Sequence, residues 1–282
     1  MKTILVPTDF SKNAYAALHY AVQHLNNIEC RFIILHSFEE QVTHLTSRID
    51  IAKTEGVVEE LYNSSERKCE EVKHQIIGDS ENNKHSFEII VTSLSLTRAI
   101  NTIIGKEDVS FVIMSNKGQT AAESIFMGSN TLAAIRKIKK ASLLIVPREM
   151  EYRDIKKIAF VTGFKRSYSR TEMAPLLFIT SQNKSNLRVL HMNEKDKLSN
   201  TQRENFHMLF DILKEGRPEA HFLSSGTEKY EAVTTFINDD GIDLLAMVYY
   251  KHNFLAGLFR EAVVKNLAKN INIPFLVMPA ID

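Results

Sequence analysis

The hydrophobic pattern of this 282-residue chain is written twice. Short runs rich in Ile, Val, Leu and Phe stand at Thr3–Val6, Phe32–Leu35, Phe87–Val91, Phe111–Met114 and Leu143–Val146, and none alternates polar with apolar residues. Runs of that kind mark strands covered on both faces, as in a parallel sheet flanked by helices. The pattern then restarts. Lys2-Thr3-Ile4-Leu5-Val6 is echoed by Lys157-Ile158-Ala159-Phe160-Val161, and Ile34-Leu35-His36 by Val189-Leu190-His191, both at an offset of 155. Leu144-Ile145-Val146-Pro147 returns as Leu276-Val277-Met278-Pro279 at an offset of 132, so the second copy is about 23 residues shorter. The long polar segment Glu39–Ser86 is expected to hold the difference. A repeat of this length implies duplicated domains, because solenoid units run only about 20–50 residues. The expected domains are 1–148 and 154–282, with the boundary in the charged stretch Arg148–Asp154.

Helical spacing fills the gaps between the runs. Ser11 can cap a helix whose apolar positions Ala14, Ala17, Leu18, Ala21, Val22 and Leu25 repeat every three or four residues. Further helices are expected over Val57–Ile77, Leu96–Ile104 and from Ser129 to about Ile138. Strand alternating with helix reads as an α/β fold. Composition narrows the function. Lys and Arg number 35 against 34 Asp and Glu, which leaves no basic excess for a nucleic-acid partner. Two cysteines, Cys30 and Cys69, support neither a disulfide framework nor a four-cysteine zinc site. No apolar stretch reaches the roughly 18 residues of a membrane span, and the opening Met1-Lys2-Thr3-Ile4-Leu5-Val6-Pro7 does not read as a leader. The expectation is a reduced, cytoplasmic protein without a membrane partner.

The segment from Met114 to Asn130 carries the most chemistry. It leaves a buried run, crosses a loop with Gly118, and enters a helix at Gly128-Ser129. Gly118 permits positive φ, so successive N–H groups can form an anion nest, and Gly128 lets a phosphate approach the backbone. Ser129 can cap the helix, whose N-terminus adds unpaired donors and a favourable dipole. A plain loop followed by an N-cap explains the same residues without a ligand. Asp9 follows the first strand directly, at the sheet edge where ligands of open α/β folds bind. It suits a ribose, a base edge or a divalent ion, or else it caps the first helix together with Ser11.

These residues resemble the universal stress protein family in its tandem two-domain form, over nearly the whole chain. The resemblance rests on Ile4-Leu5-Val6-Pro7-Thr8-Asp9-Phe10-Ser11, Leu35-His36, Gly118 with nine residues to Gly128-Ser129, and Ala141-Ser142-Leu143-Leu144-Ile145-Val146-Pro147. It implies two homologous domains, each a five-stranded parallel sheet in the order 3-2-1-4-5 with helices on both faces. It also implies a regulatory protein of the stress response that binds ATP, with Mg²⁺, through its first domain, with slow hydrolysis at most. Residues matching Pro7, Thr8, Asp9 and Ser37 would surround the adenosine, and Asp9 would lie near the sugar or metal. Met114, Ser115, Gly118, Gly128, Ser129 and Asn130 would form the phosphate loop. An unidentified regulatory protein partner, pairing of the two domains like that of a dimer, and association of two chains are further implications. Ser115 departs from the family motif, which has a glycine there. If that backbone angle were open only to glycine, the serine would cost about 1–3 kcal/mol, or roughly five- to 150-fold in affinity. The alternatives are a scaffold that does not use a nucleotide, and an adenine-nucleotide hydrolase-like enzyme of related fold.

The second half lacks these residues. Thr162-Gly163-Phe164 holds no carboxylate where Asp9 should recur. At an offset of 132, Gly118, Gly128 and Ser129 fall on Tyr250, Arg260 and Glu261, and Gly257 alone does not rebuild the motif. The ten histidines lack the spacing of a zinc site. His36 and His191, at equivalent strand ends, are expected to make one shared structural hydrogen bond. Lys117 reads as a solvated loop lysine or a phosphate contact. Arg136-Lys137-Ile138-Lys139-Lys140 complements a helix dipole, Lys165-Arg166 and Arg170 could meet a phosphate or an acidic partner, and Phe206, Phe210, Phe222 and Phe236 read as core.

Overall fold

The computed structural model describes residues 1–46, 54–117, 127–192, 195–223, 229–250 and 272–281. They belong to two compact units, Met1–Tyr152 and Arg153–Asp282. Within each, the strands pair in parallel.

In the first unit β1 (Lys2–Pro7), β2 (Cys30–Ser37), β3 (His85–Thr92), β4 (Val109–Ser115) and β5 (Ser142–Val146) lie in the order β3-β2-β1-β4-β5. The connecting helices are α1 (Lys12–His24), α2 (Glu39–Thr46), α3 (Thr54–Ser80), α4 (Leu96–Lys106) and α5 (Ser129–Lys137). In β1 and β2, Leu5, Ile33 and Ile34 are fully buried, as are Val112 in β4 and Leu144 in β5 but for about one per cent. That burial explains their unbroken apolar runs. The run Phe87–Val91 differs. As the edge strand β3 it alternates between exposed and half-buried positions at its start, and none of its residues is fully covered. Ser11 is the N-cap of α1 and accepts a hydrogen bond from the Ala14 N–H at 3.2 Å, which turns Ala14, Ala17, Leu18, Ala21 and Val22 inward. Cys30 and Cys69 are both buried, and burial pushes their thiols up to about 11 and about 12.

The second unit holds β6 (Lys157–Val161), α6 (Arg170–Asn183), β7 (Asn186–His191), α7 (Asn200–Leu213), β8 (Glu219–Phe222), α8 (Lys229–Asp240), β9 (Leu244–Tyr249) and β10 (Phe275–Pro279). Its strand order, β8-β7-β6-β9-β10, follows the same scheme. The crossover from second to third strand accounts for most of the missing length: 38–84 joins β2 to β3, while only 192–218 joins β7 to β8. A capping box of Ser199 and Gln202 starts α7.

Candidate functional site

In the first unit β1 has β2 on one side and β4 on the other, so the order reverses beside it and a crevice forms at the carboxyl ends of β1 and β4. The turn after β1 forms one wall. Thr8 N–H continues the ladder to the Leu35 carbonyl at 2.8 Å. Three side chains then secure successive backbone groups: Thr8 Oγ1 accepts from Phe10 N–H at 3.1 Å, Asp9 Oδ1 from Ser11 N–H at 3.1 Å, and Ser11 Oγ from Ala14 N–H. Asp9 therefore does the capping work foreseen for it, from a half-buried place on the rim. Phe10 sits at φ 63°, a left-handed angle that costs a non-glycine residue about 1 kcal/mol or more. His36 holds it there. Its ring lies 4.3 Å from that of Phe10, and its Nδ1 donates to the Thr8 carbonyl at 2.8 Å. Burial lowers the His36 pKa against the opposing pull of that hydrogen bond, which keeps the imidazole neutral. Sequence reasoning had foreseen the histidine bond, but not the ring contact or the strained phenylalanine.

The end of β4 forms the other wall. Met114 and Ser115 are buried, and Ser115 is an ordinary strand residue paired with Val146. Its φ is not positive, so the glycine-only angle considered for this position does not arise. The Ser115 hydroxyl accepts from Lys117 N–H at 3.3 Å, and its carbonyl accepts from Thr131 Oγ1 at 3.0 Å. Asn116 donates its N–H to Val146 and accepts at its carbonyl from Gly128 N–H, at 2.9 and 2.8 Å. These bonds fasten the start of α5 to the end of β4. Gly128 itself is the N-cap, in an extended conformation with φ −66°, and no side chain of the described residues caps the helix. Ser129 is thus the first helical residue and not the cap, and both it and Asn130 are exposed. The first N–H groups of a helix lack intrahelical partners, so α5 presents donors and a positive dipole end there. Asn116 Oδ1 is buried without a hydrogen-bond partner among the described residues. Lys117 is only 8% exposed, so it is not a solvated loop lysine. Ser37 donates its hydroxyl to the Leu94 carbonyl at 2.6 Å, and Pro7 is buried at the end of β1. Gly118 lies outside the described residues.

The second unit repeats the first wall. Thr162 N–H bonds Leu190, its carbonyl accepts from His191 Nδ1 at 2.9 Å, and its Oγ1 accepts from Phe164 N–H at 3.1 Å. Phe164 sits at φ 50° with its ring 4.9 Å from His191. Thr162 therefore matches Thr8, an offset of 154 and not 155, and Gly163 takes the place of Asp9. Pairing of β9 on β6 gives an offset of 133 there, because Ile4 meets Phe111 while Ile158 meets Leu244. Tyr250 thus stands where the first unit has Lys117, not Gly118. The positions read as Gly257, Arg260 and Glu261 lie outside the described residues.

Beyond that wall the two units part. The cap Ser11 follows Pro7 by four positions, whereas Ser169 follows Val161 by eight. The longer turn carries Arg166 and Tyr168 inward. Arg166 pairs with Glu172, which is 2% exposed, and stacks against Tyr168 and Tyr250. Its sequence neighbourhood had suggested an external anion, but its carboxylate comes from the first turn of α6. Burial opposes the Arg166 charge, yet Glu172 and Tyr250 outweigh it and raise the pKa. Burial, reinforced by Tyr168, pushes the Tyr250 phenol far up. Among the described residues no group of three or more His, Cys, Asp and Glu is placed to hold a metal, and no helix is long and apolar enough to cross a membrane.

A family model described as the universal stress protein family matches residues 1–147. Of the solved structures, a universal stress protein from Archaeoglobus fulgidus aligns over 99% of this chain and 97% of its own, with a TM-score of 0.67 and 16% identity. A functionally unknown protein from Pseudomonas aeruginosa aligns over 99% and 92%, with a TM-score of 0.57 and 12% identity. The cytoplasmic domain of a prokaryotic cation chloride cotransporter aligns over 99% and 95%, with a TM-score of 0.56 and 9% identity. At such identities the likeness is one of fold. No curated protein matches the chain.

Proposed function

This chain belongs to the universal stress protein family, and from that premise we propose that it is a tandem member whose first unit binds an adenine nucleotide at the carboxyl edge of β1 and β4. One observation carries the reading: the start of α5 has a glycine at its N-cap, with no side-chain cap among the described residues, and is fastened by Gly128 N–H to the end of β4, across the strand-order reversal from the Asp9 turn. The N–H groups of Ser129 and Asn130 suit phosphate oxygens, and Gly128 sets no side chain of its own in front of them. Pro7, Thr8 and Ser37 line the side expected to take the adenosine, with Met114 and Ser115 beneath. Gly118 would complete the loop.

Mg²⁺ fits this arrangement in one way. A hard cation that keeps its waters and takes one carboxylate plus nucleotide phosphates needs no cage of protein ligands, and Asp9 is the carboxylate on the rim. When bound, the ion would neutralise phosphate charge. Asn116 Oδ1, buried and without a hydrogen-bond partner among the described residues, is a further acceptor at the β4 end. A regulatory protein partner that reads nucleotide occupancy is the further part of this proposal, and it rests on the family resemblance.

Calorimetry with ATP and Mg²⁺ on the intact protein and on Gly128→Glu tests the proposal. Saturable binding is expected for the intact chain. The glutamate should weaken it at least tenfold, about 1.4 kcal/mol, by setting a carboxylate against the phosphates. Absence of heat up to millimolar ATP would overturn the nucleotide reading and leave a scaffold that acts through its surface.

A further inference from the structure

Arg166 is held by its own unit much as a ligand would be. Its guanidinium carbon lies 4.8 Å from the ring centroid of Tyr168 and 4.5 Å from that of Tyr250. Nε donates to Tyr250 Oη at 2.6 Å, and a terminal nitrogen pairs with Glu172 Oε1. The Glu172 side chain is 1% exposed. Its Oε1 also accepts from the Ile281 N–H at 3.1 Å, and its Oε2 has no hydrogen-bond partner among the described residues. Tyr168 Oη is fixed by Thr162 Oγ1 at 2.8 Å, at the end of β6. Two aromatic faces and a buried carboxylate with a spare acceptor select a planar, delocalised cation. Aromatic rings favour weakly hydrated charge, and a carboxylate accepts two parallel N–H bonds from a guanidinium but not from an ammonium.

We propose that the crevice at the carboxyl ends of β6 and β9 is a guanidinium-binding site filled in cis by Arg166, and that it takes a free guanidino compound once that side chain is removed. The tether explains why the site is closed in the intact chain, since an attached group competes at a high effective concentration. The lining also explains why this crevice differs in ligand class from its counterpart. Gly163 replaces the Asp9 carboxylate and Tyr250 replaces Lys117, so an aromatic ring stands where the first unit has a cation, and Glu172 supplies a buried carboxylate. The inference does not depend on nucleotide binding by the first unit.

Arg166→Ala, titrated with methylguanidinium chloride and in parallel with methylammonium chloride at equal ionic strength, tests it. Removing one partner of a buried ion pair should lower the melting temperature of the second unit by roughly 10 °C and speed exchange of the Ile281 amide. Millimolar methylguanidinium should restore several degrees saturably and slow that exchange again, while methylammonium does neither and the intact protein responds to neither. Arg166→Lys, which keeps the charge without the planar fork, should remain destabilised. An unchanged melting temperature in Arg166→Ala, or equal responses to the two cations, would overturn the proposal. Should Arg166→Ala not fold unaided, recovery on refolding with methylguanidinium alone supports the site, and recovery with neither cation or with both refutes it.

Discussion

The two crevices start from the same wall and end with opposite chemistry. In each, a threonine bonds the second strand, a histidine bonds the threonine carbonyl, and a left-handed phenylalanine lies tilted against the histidine. The first unit then enters its helix at once and keeps a carboxylate on the rim and a glycine-capped helix start opposite. The second spends four more residues before its cap, and those residues bring a guanidinium to a buried carboxylate. A shared scaffold therefore repeats the wall and not the side chains set beyond it; the few residues after the first strand decide those.

Acidification should separate the units most strongly. His24 is buried in α1 against Tyr20 and Tyr152, with neither ring nitrogen hydrogen-bonded among the described residues. Burial lowers its pKa to about 4. Because the folded value lies below the unfolded 6.5, the unfolded chain takes the proton first. The stabilisation is whole above pH 6.5 and is lost as pH falls toward 4, on the order of 3 kcal/mol in all. Protection factors in β1, corrected for the intrinsic pH dependence of amide exchange, should fall over that range in the native protein and much less in His24→Phe, and an equal slope in both would dismiss the assignment.

A smaller effect probes the shared wall. His36→Ala and His191→Ala should each cost about 1–3 kcal/mol in denaturant unfolding, as a buried carbonyl loses its donor. Only His36→Ala should also weaken ATP binding, and equal losses of binding from both would erase the distinction between the units. The smallest effect is at the caps. Ser11→Ala and Ser169→Ala should each lose about 1 kcal/mol. A much larger loss at Ser169 would show that its turn also sets the Glu172 carboxylate in place.

The strands were legible because burial on both faces leaves an apolar run that few other environments allow, and all five predicted runs lie inside observed strands of the first unit. Phe87–Val91 misled only in its burial, since an edge strand with a similar composition is half-covered. Helix starts were legible through Ser11, but Ser129 was set one place too far toward the cap, because a glycine cap carries no side-chain signal. The strand order that sets Asp9 and the start of α5 on either side of one crevice was legible, and the local backbone less so. That Ser115 would sit inside a strand depended on how far pairing with Val146 extended, which a motif spacing does not record. Arg166 was misread because its partner is six residues away, beyond a turn whose geometry no periodicity encodes. The one-residue slips in the repeat offsets have the same origin: side chains near a strand end are compared by letter, whereas the hydrogen bonds count by ladder.

Both cysteines of the chain belong to the first unit, and both are buried. Thiolate forms only when such a group reaches water, so its alkylation clocks the opening of the surrounding structure. Cys30 reports from the sheet, on β2, and Cys69 from the long helix α3 that covers it. The chain thus carries two kinetic probes, one in each layer of the nucleotide-candidate unit, while the guanidinium-filled unit is silent to the same reagent.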